Sequence, residues 1–160
     1  MKEDGKTRLL IVDDDKEILS VLSLYLEEDT DFVIDTASTA AEALAKNSAT
    51  PYDIVVTDLK MPGMGGMELI KEIKKEKNIM EFIIMTAYAS VDTAIEAVKL
   101  GAFDYVVKPF KFEELRIVIK NAKDKVDLKK TNESLLRKLH DIHREIDVYS
   151  KAKQKRRSVD

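Results

Sequence analysis

The sequence predicts a doubly wound α/β fold, a five-stranded parallel sheet flanked by helices, with the last helix extended beyond the sheet. Two observations predict it. Five short apolar runs, Leu9 to Val12, Phe32 to Ile34, Ile54 to Val56, Phe82 to Met85 and Tyr105 to Val107, recur with a helically spaced stretch between each and the next; such alternation means parallel strands joined by crossover helices. After Phe112 no further strand signal occurs and neither Gly nor Pro interrupts the chain, which implies one long helix.

Each element carries its own signal. The first, third, fourth and fifth runs are continuously apolar, as strands covered on both faces must be, whereas Phe32-Val33-Ile34-Asp35-Thr36 turns polar early and suits an edge. Asp15 stands as N-cap before a first helix over Lys16 to Glu28, in which Ile18, Leu22 and Tyr25 or Leu26 share a face. Thr39-Ala40-Ala41-Glu42 is a capping box that opens the second helix. Pro62-Gly63-Met64-Gly65-Gly66 reads as a turn into the third. Ser90 precedes the fourth, Val91 to Leu100, which Gly101 ends, and its Val91, Ala94, Ile95 and Val98 are expected to cover the sheet. In the last helix, Leu128, Leu135, Leu139, Ile142, Ile146 and Tyr149 repeat at spacings of three and four, and Asn132 completes the register. A coiled coil is expected there, and Asn132 at a core position favours two parallel strands. The expected organisation is a domain over 1–123, a helical linker over 124–150 and a basic tail over 151–160.

Composition narrows the function. At 160 residues with 44% hydrophobic side chains, the chain supports one good core and an appendage. A formal net charge of -3 offers no overall basic field, so nucleic acid and anionic membranes are disfavoured as partners, and Lys151 to Arg157 reads as a solvated linker. The absence of cysteine removes disulfides, thiolate metal sites and cysteine nucleophiles, and no apolar run approaches the roughly 20 residues that cross a bilayer. These features predict a soluble cytoplasmic protein.

Ligands of an open parallel sheet bind beyond the carboxyl ends of its strands. There the sequence places Asp13-Asp14-Asp15 after run one, Asp58 after run three, Thr86-Ala87 after run four and Lys108-Pro109 after run five. Singly, each has an ordinary explanation, and for Asp15 the N-cap suffices. Gathered together, Asp13, Asp14 and Asp58 would repel one another and hold raised pKa values unless a cation joined them. Carboxylate oxygens with waters suit Mg²⁺. A carboxylate also attacks phosphorus when the transferred group's charge is neutralised, and a metal, the Lys108 ammonium and the Thr86 hydroxyl supply that neutralisation.

The ordered set Asp13-Asp14, Asp58-x-x-Met61-Pro62-Gly63, Thr86-Ala87 and Lys108-Pro109-Phe110 resembles the response-regulator receiver family over residues 7–123. The resemblance implies a flavodoxin-like strand order 2-1-3-4-5, a histidine kinase partner that donates a phosphoryl group to Asp58, and Mg²⁺ on Asp13, Asp14 and Asp58. It further implies Lys108 and Thr86 as the groups that assist the transfer, a signalling domain rather than a turnover enzyme, and a cis Lys108–Pro109 bond. Thr86-Ala87-Tyr88-Ala89-Ser90 with Gly101-Ala102-Phe103-Asp104-Tyr105 resembles receivers of the nitrogen-regulatory activator group, which precede an ATPase and a DNA-binding domain. No Walker motif follows here, so DNA contact is expected only through an output domain, and a stand-alone phosphorelay or scaffold receiver is the alternative.

The same resemblance makes Thr86 and Tyr105 a switch pair. Phosphorylation draws the Thr86 hydroxyl inward and Tyr105 from exposed to buried, reshaping the surface of the fourth helix, fifth strand and fifth helix. A homodimer is expected through that surface or through the C-terminal helix. Lys60 and Tyr88, bulky neighbours two residues past Asp58 and Thr86, are expected to restrict water and prolong the phosphoryl group. A flavin site is disfavoured because Asp13-Asp14-Asp15 repels phosphate, and His140 and His143 on the last helix read as solvated rather than as phosphotransfer groups.

Overall fold

Chain segments rich in Val, Ile and Leu form strands when both of their faces find apolar partners, and the sheet follows that rule. The computed structural model describes residues 5–76 and 79–159; the first four residues of the expected domain, and Asp160 of the expected tail, lie outside the described residues. Its elements run β1 (Thr7–Val12), α1 (Lys16–Glu27), β2 (Phe32–Ala37), α2 (Ala40–Ala49), β3 (Ile54–Asp58), α3 (Gly66–Lys74), β4 (Glu81–Thr86), α4 (Val91–Leu100), β5 (Asp104–Val107) and α5 (Phe112–Arg157). All strand pairs are parallel, and the order is β2-β1-β3-β4-β5. Each strand extends past its apolar run, and β3 carries its pairing as far as Asp58.

Alternate residues of the central strands feed two cores, one on each face of the sheet. Leu10, Val12, Val55, Phe82 and Ile84 pack with Leu69, Ile70 and Ile73 of α3 on one side. On the other, Leu9, Ile11, Val56, Ile83 and Met85 meet Leu19, Leu22 and Leu26 of α1 and Leu115, Ile119, Ala122 and Val126 of α5. Complete burial of a Leu or Ile is worth about 1.5–3 kcal/mol, so this double cover holds the strand ends in fixed register.

Two expectations need correction, and a third gains a residue, Leu19. Strand β5 is covered only in part: at the second edge of the sheet, Tyr105 and Val106 are half-buried against opposite cores, while Asp104 and Val107 are exposed. The face of α4 turned to the domain is Thr93, Ala94, Ala97 and Leu100, while Val91, Ile95 and Val98 are 76%, 48% and 76% exposed. Small residues let α4 approach β5, and the large β-branched ones are left outside. In α1 the buried stripe is Leu19, Leu22 and Leu26, with Ile18 and Tyr25 half-buried at its margin.

The caps show how local chemistry ends each helix. Asp15 accepts the Glu17 and Ile18 amides, and Ser90 forms a reciprocal capping box with Thr93. Thr39 accepts the Glu42 amide, yet the Glu42 carboxylate reaches back to the Ser38 amide, not to that of Thr39, so the capping box is shifted by one residue. Gly101 closes α4 at φ 82, a conformation that glycine adopts without a Cβ clash. Contacts divide the chain into two units, Met1–Val126 and Asp127–Asp160. Within the second, every described residue except Lys130 is exposed.

Candidate functional site

The parallel register places the chemistry at one end of the sheet. Asp13 follows the last residue of β1, Asp58 closes β3, and Asp58 pairs with Met85, so Thr86 lies one residue further along the neighbouring strand. Lys108 follows β5, where its amide donates to the Thr86 carbonyl at 2.8 Å, and the Lys108–Pro109 bond is cis.

The side chains converge. The Lys108 ammonium lies 2.5 Å from Asp13 Oδ2 and 3.2 Å from Asp58 Oδ2. Asp13 is buried and spends its other oxygen on the Asp15 amide at 3.0 Å, which fixes its orientation. Asp14 is exposed at the rim. Ligand oxygens of Asp13, Asp14 and Asp58 fall within 4.8 Å of one another, a spacing that one cation can bridge. Asp58 Oδ1 is buried and has no hydrogen-bond partner among the described residues. A buried unpartnered carboxylate oxygen costs free energy, and a hard divalent cation is the partner this donor set fits.

Electrostatics agree with the geometry. Burial pushes the Asp58 carboxyl above its ordinary range, and the Asp13 charge adds to the rise against the opposing pull of Lys108. For Lys108, burial alone would lower the pKa, but the Asp13 and Asp58 carboxylates outweigh it and the ammonium is raised above its usual value. Lys108 is therefore a fixed positive charge at neutral pH.

Thr86 is fully buried, and its hydroxyl accepts the Tyr88 amide at 3.0 Å. Tyr105 is half-buried, with its hydroxyl 2.7 Å from that of Thr93 in α4. Lys60 and Tyr88 are both exposed, and the Lys60 ammonium stands 4.2 Å from the centre of the Tyr88 ring. This cation–π contact joins the loops after β3 and β4, and sequence reasoning named both residues without pairing them. The seven residues of the heptad stripe, Leu128, Asn132, Leu135, Leu139, Ile142, Ile146 and Tyr149, are all exposed on α5.

Two determinants escaped the sequence. A Cβ on Gly66 would stand 2.0 Å from the Asp58 carbonyl oxygen, so only glycine lets α3 start this close to the end of β3. The paired glycines at 65 and 66 were the available signal. The Thr93 partner of Tyr105 was the other; its position three residues after Ser90 marks a cap but not a second bond to β5.

Comparison with known proteins gives a consistent answer. The family profile described as the response regulator receiver domain matches residues 9–120. The regulatory protein AtoC of Escherichia coli (strain K12) is 37% identical over 123 residues, covering 77% of this chain and 26% of that protein. The transcriptional regulatory protein ZraR of Klebsiella oxytoca is 39% identical over 114 residues, covering 71% and 26%. This chain thus spans about a quarter of the length of these relatives. A response regulator receiver domain protein from Clostridium thermocellum, solved as a crystal structure, superposes with a TM-score of 0.70 at 38% identity, over 76% of this chain and 98% of that one.

Proposed function

Because the chain belongs to the response-regulator receiver family and is similar to receivers of the nitrogen-regulatory activator group, we propose that Asp58 accepts a phosphoryl group from a histidine kinase and that the phosphorylated domain switches a downstream output, with transcriptional control as the output that its relatives' names favour. The observation that carries this reading is the Asp58 carboxylate itself, buried, with one oxygen held by Lys108 and the other without a hydrogen-bond partner among the described residues.

Asp13, Asp14 and Asp58 are the residues that would hold Mg²⁺, and the ion supplies neutralising charge to the phosphoryl oxygens. The chain's own groups do the remainder. An Asp58 oxygen forms the new bond to phosphorus as the bond to the donor nitrogen breaks. Asp13, fixed by the Asp15 amide, holds the Lys108 ammonium in place; that charge opposes the rise in the Asp58 pKa and aims the carboxylate, and Lys108 then pairs with a phosphoryl oxygen. The Thr86 hydroxyl leaves the Tyr88 amide to donate to a second phosphoryl oxygen. Tyr105, tethered to Thr93, reads that movement out at the surface of α4, β5 and α5. Lys60 and Tyr88 roof the site and slow hydrolysis. Two copies associate through that surface or through the heptad stripe of α5.

The test is incubation of the 160-residue chain with Mg²⁺ and acetyl phosphate, read by intact mass. One phosphoryl group is expected on the wild type, none on Asp58→Ala, and none without a divalent cation. Unaltered phosphorylation of Asp58→Ala would remove Asp58 from the role.

A further inference from the structure

Charge on the second unit is sharply segregated. Over residues 127–150 five basic and five acidic side chains cancel, and Arg137 with Glu133, Arg144 with Asp141 and His143 with Asp147 lie within ion-pair distance on the helix surface. From Lys151 to Arg157 the helix continues with five cations and no carboxylate in seven residues. All five are exposed, and none has an ion-pair partner among the described residues. The helix dipole accounts for Lys155, Arg156 and Arg157 in the last turn, but its influence fades within one turn and leaves Lys151 and Lys153 unexplained.

We propose that Lys151–Arg157 is a docking surface for the phosphate backbone of duplex nucleic acid, read without regard to base sequence. At a rise of about 1.5 Å per residue the segment is about 10 Å long, so the five cations stand about 2 Å apart along the axis. Duplex DNA carries one phosphate charge per about 1.7 Å. Helical period sets Lys151 and Lys155 on one side and Lys153, Arg156 and Arg157 on the opposite one, so the segment meets phosphates on both walls of a groove, and each contact releases a condensed counterion. The helix holds the cations in an ordered array, and two of them are arginines, whose planar donors fit phosphate in pairs. An anionic membrane fits less well. Interfacial helices set an apolar face beneath their cations, whereas Ala152 is the sole hydrophobic residue between Lys151 and Arg157. The net charge of -3 over the whole chain hides this segment, because it averages a cationic helix end with an acidic domain.

The test measures fluorescence anisotropy of a labelled duplex of arbitrary sequence, titrated with the 160-residue chain between 50 and 200 mM salt, alongside co-sedimentation with phosphatidylserine–phosphatidylcholine vesicles. Five phosphate contacts predict that affinity falls roughly 500-fold across that range. Replacing all five cations by glutamine abolishes binding, with helix content by circular dichroism retained. The double variant Lys151→Gln, Lys153→Gln reduces the slope of log affinity against log salt by about 1.8. Binding that survives the fivefold replacement, no binding at 50 mM salt, or tighter binding to vesicles than to duplex would overturn the proposal.

Discussion

At the scale of single residues, the site carries a cost that a bound cation would remove. Burial raises the Asp58 pKa, so the folded protein resists ionising a group that is ionised at neutral pH when unfolded. A raised carboxyl pKa means that stability falls as pH climbs from the unfolded value through the folded one, and the penalty persists at pH 7. Asp58→Asn removes it, while Lys108 keeps its partner Asp13 at 2.5 Å. The variant is therefore expected to melt at a higher temperature than wild type without divalent cations, and to lose most of the stabilisation that Mg²⁺ gives the wild type. Calorimetric scans with EDTA and with Mg²⁺ check both halves. Gly66 makes the opposite case. A Cβ there would stand 2.0 Å from the Asp58 carbonyl oxygen, so Gly66→Ala must displace backbone on one side or the other. A loss of about 1–3 kcal/mol is expected, as for overpacked cores, read as a lower urea midpoint at unchanged slope.

At the scale of elements, the uneven burial of the helices predicts where the molecule opens. Helices α1 and α3 bury Leu or Ile at several positions, whereas α4 buries Ala97 alone and is tied to β5 by the Tyr105–Thr93 bond. Amides of α4 should exchange faster than those of β1, β3 and β4, and Tyr105→Phe, which removes a bond worth about 1 kcal/mol, should accelerate them further without altering exchange in α1. Hydrogen exchange read by mass spectrometry resolves these segments. The same contrast explains what the sequence conveyed. The strands and the gathering of Asp13, Asp14, Asp58 and Lys108 were legible because apolar runs mark a parallel sheet and its carboxyl ends are named by the next residue, whereas the strand order came with the family resemblance. The inward face of α4 was not. Helical period shows that Val91, Ile95 and Val98 share a side, but it does not say whether that side meets the sheet, and here Ala97 with Leu100 packs inward instead. For β5, apolar content resembled that of a central strand because Tyr105 and Val106 pack against opposite cores, although Val107 is left exposed at the edge. The Gly66 contact joins residues on different elements, so no local pattern carried it.

At the scale of the whole molecule, exposed apolar surface predicts self-association. Leu128, Leu135, Leu139, Ile142, Ile146 and Tyr149 are each between 53% and 70% exposed on α5, at alternating spacings of three and four. Such a stripe suits a seam between two copies of the same helix, and Asn132 in its register favours a parallel pair. Leu136 and Val148, exposed and off that register, widen the apolar face beyond a strict seam. The chain is expected to dimerise at micromolar concentration by light scattering. Leu139→Asp with Ile142→Asp places four charges in the seam of a dimer and should leave a monomer. The first unit owns both of its core clusters and every residue of the proposed phosphoacceptor site, so nothing in that double variant reaches Asp58. Its phosphorylation by acetyl phosphate should therefore match wild type in extent. A monomer that still takes the phosphoryl group would separate assembly from phosphoacceptance, whereas loss of both would mean that the stripe supports the receiver's own fold.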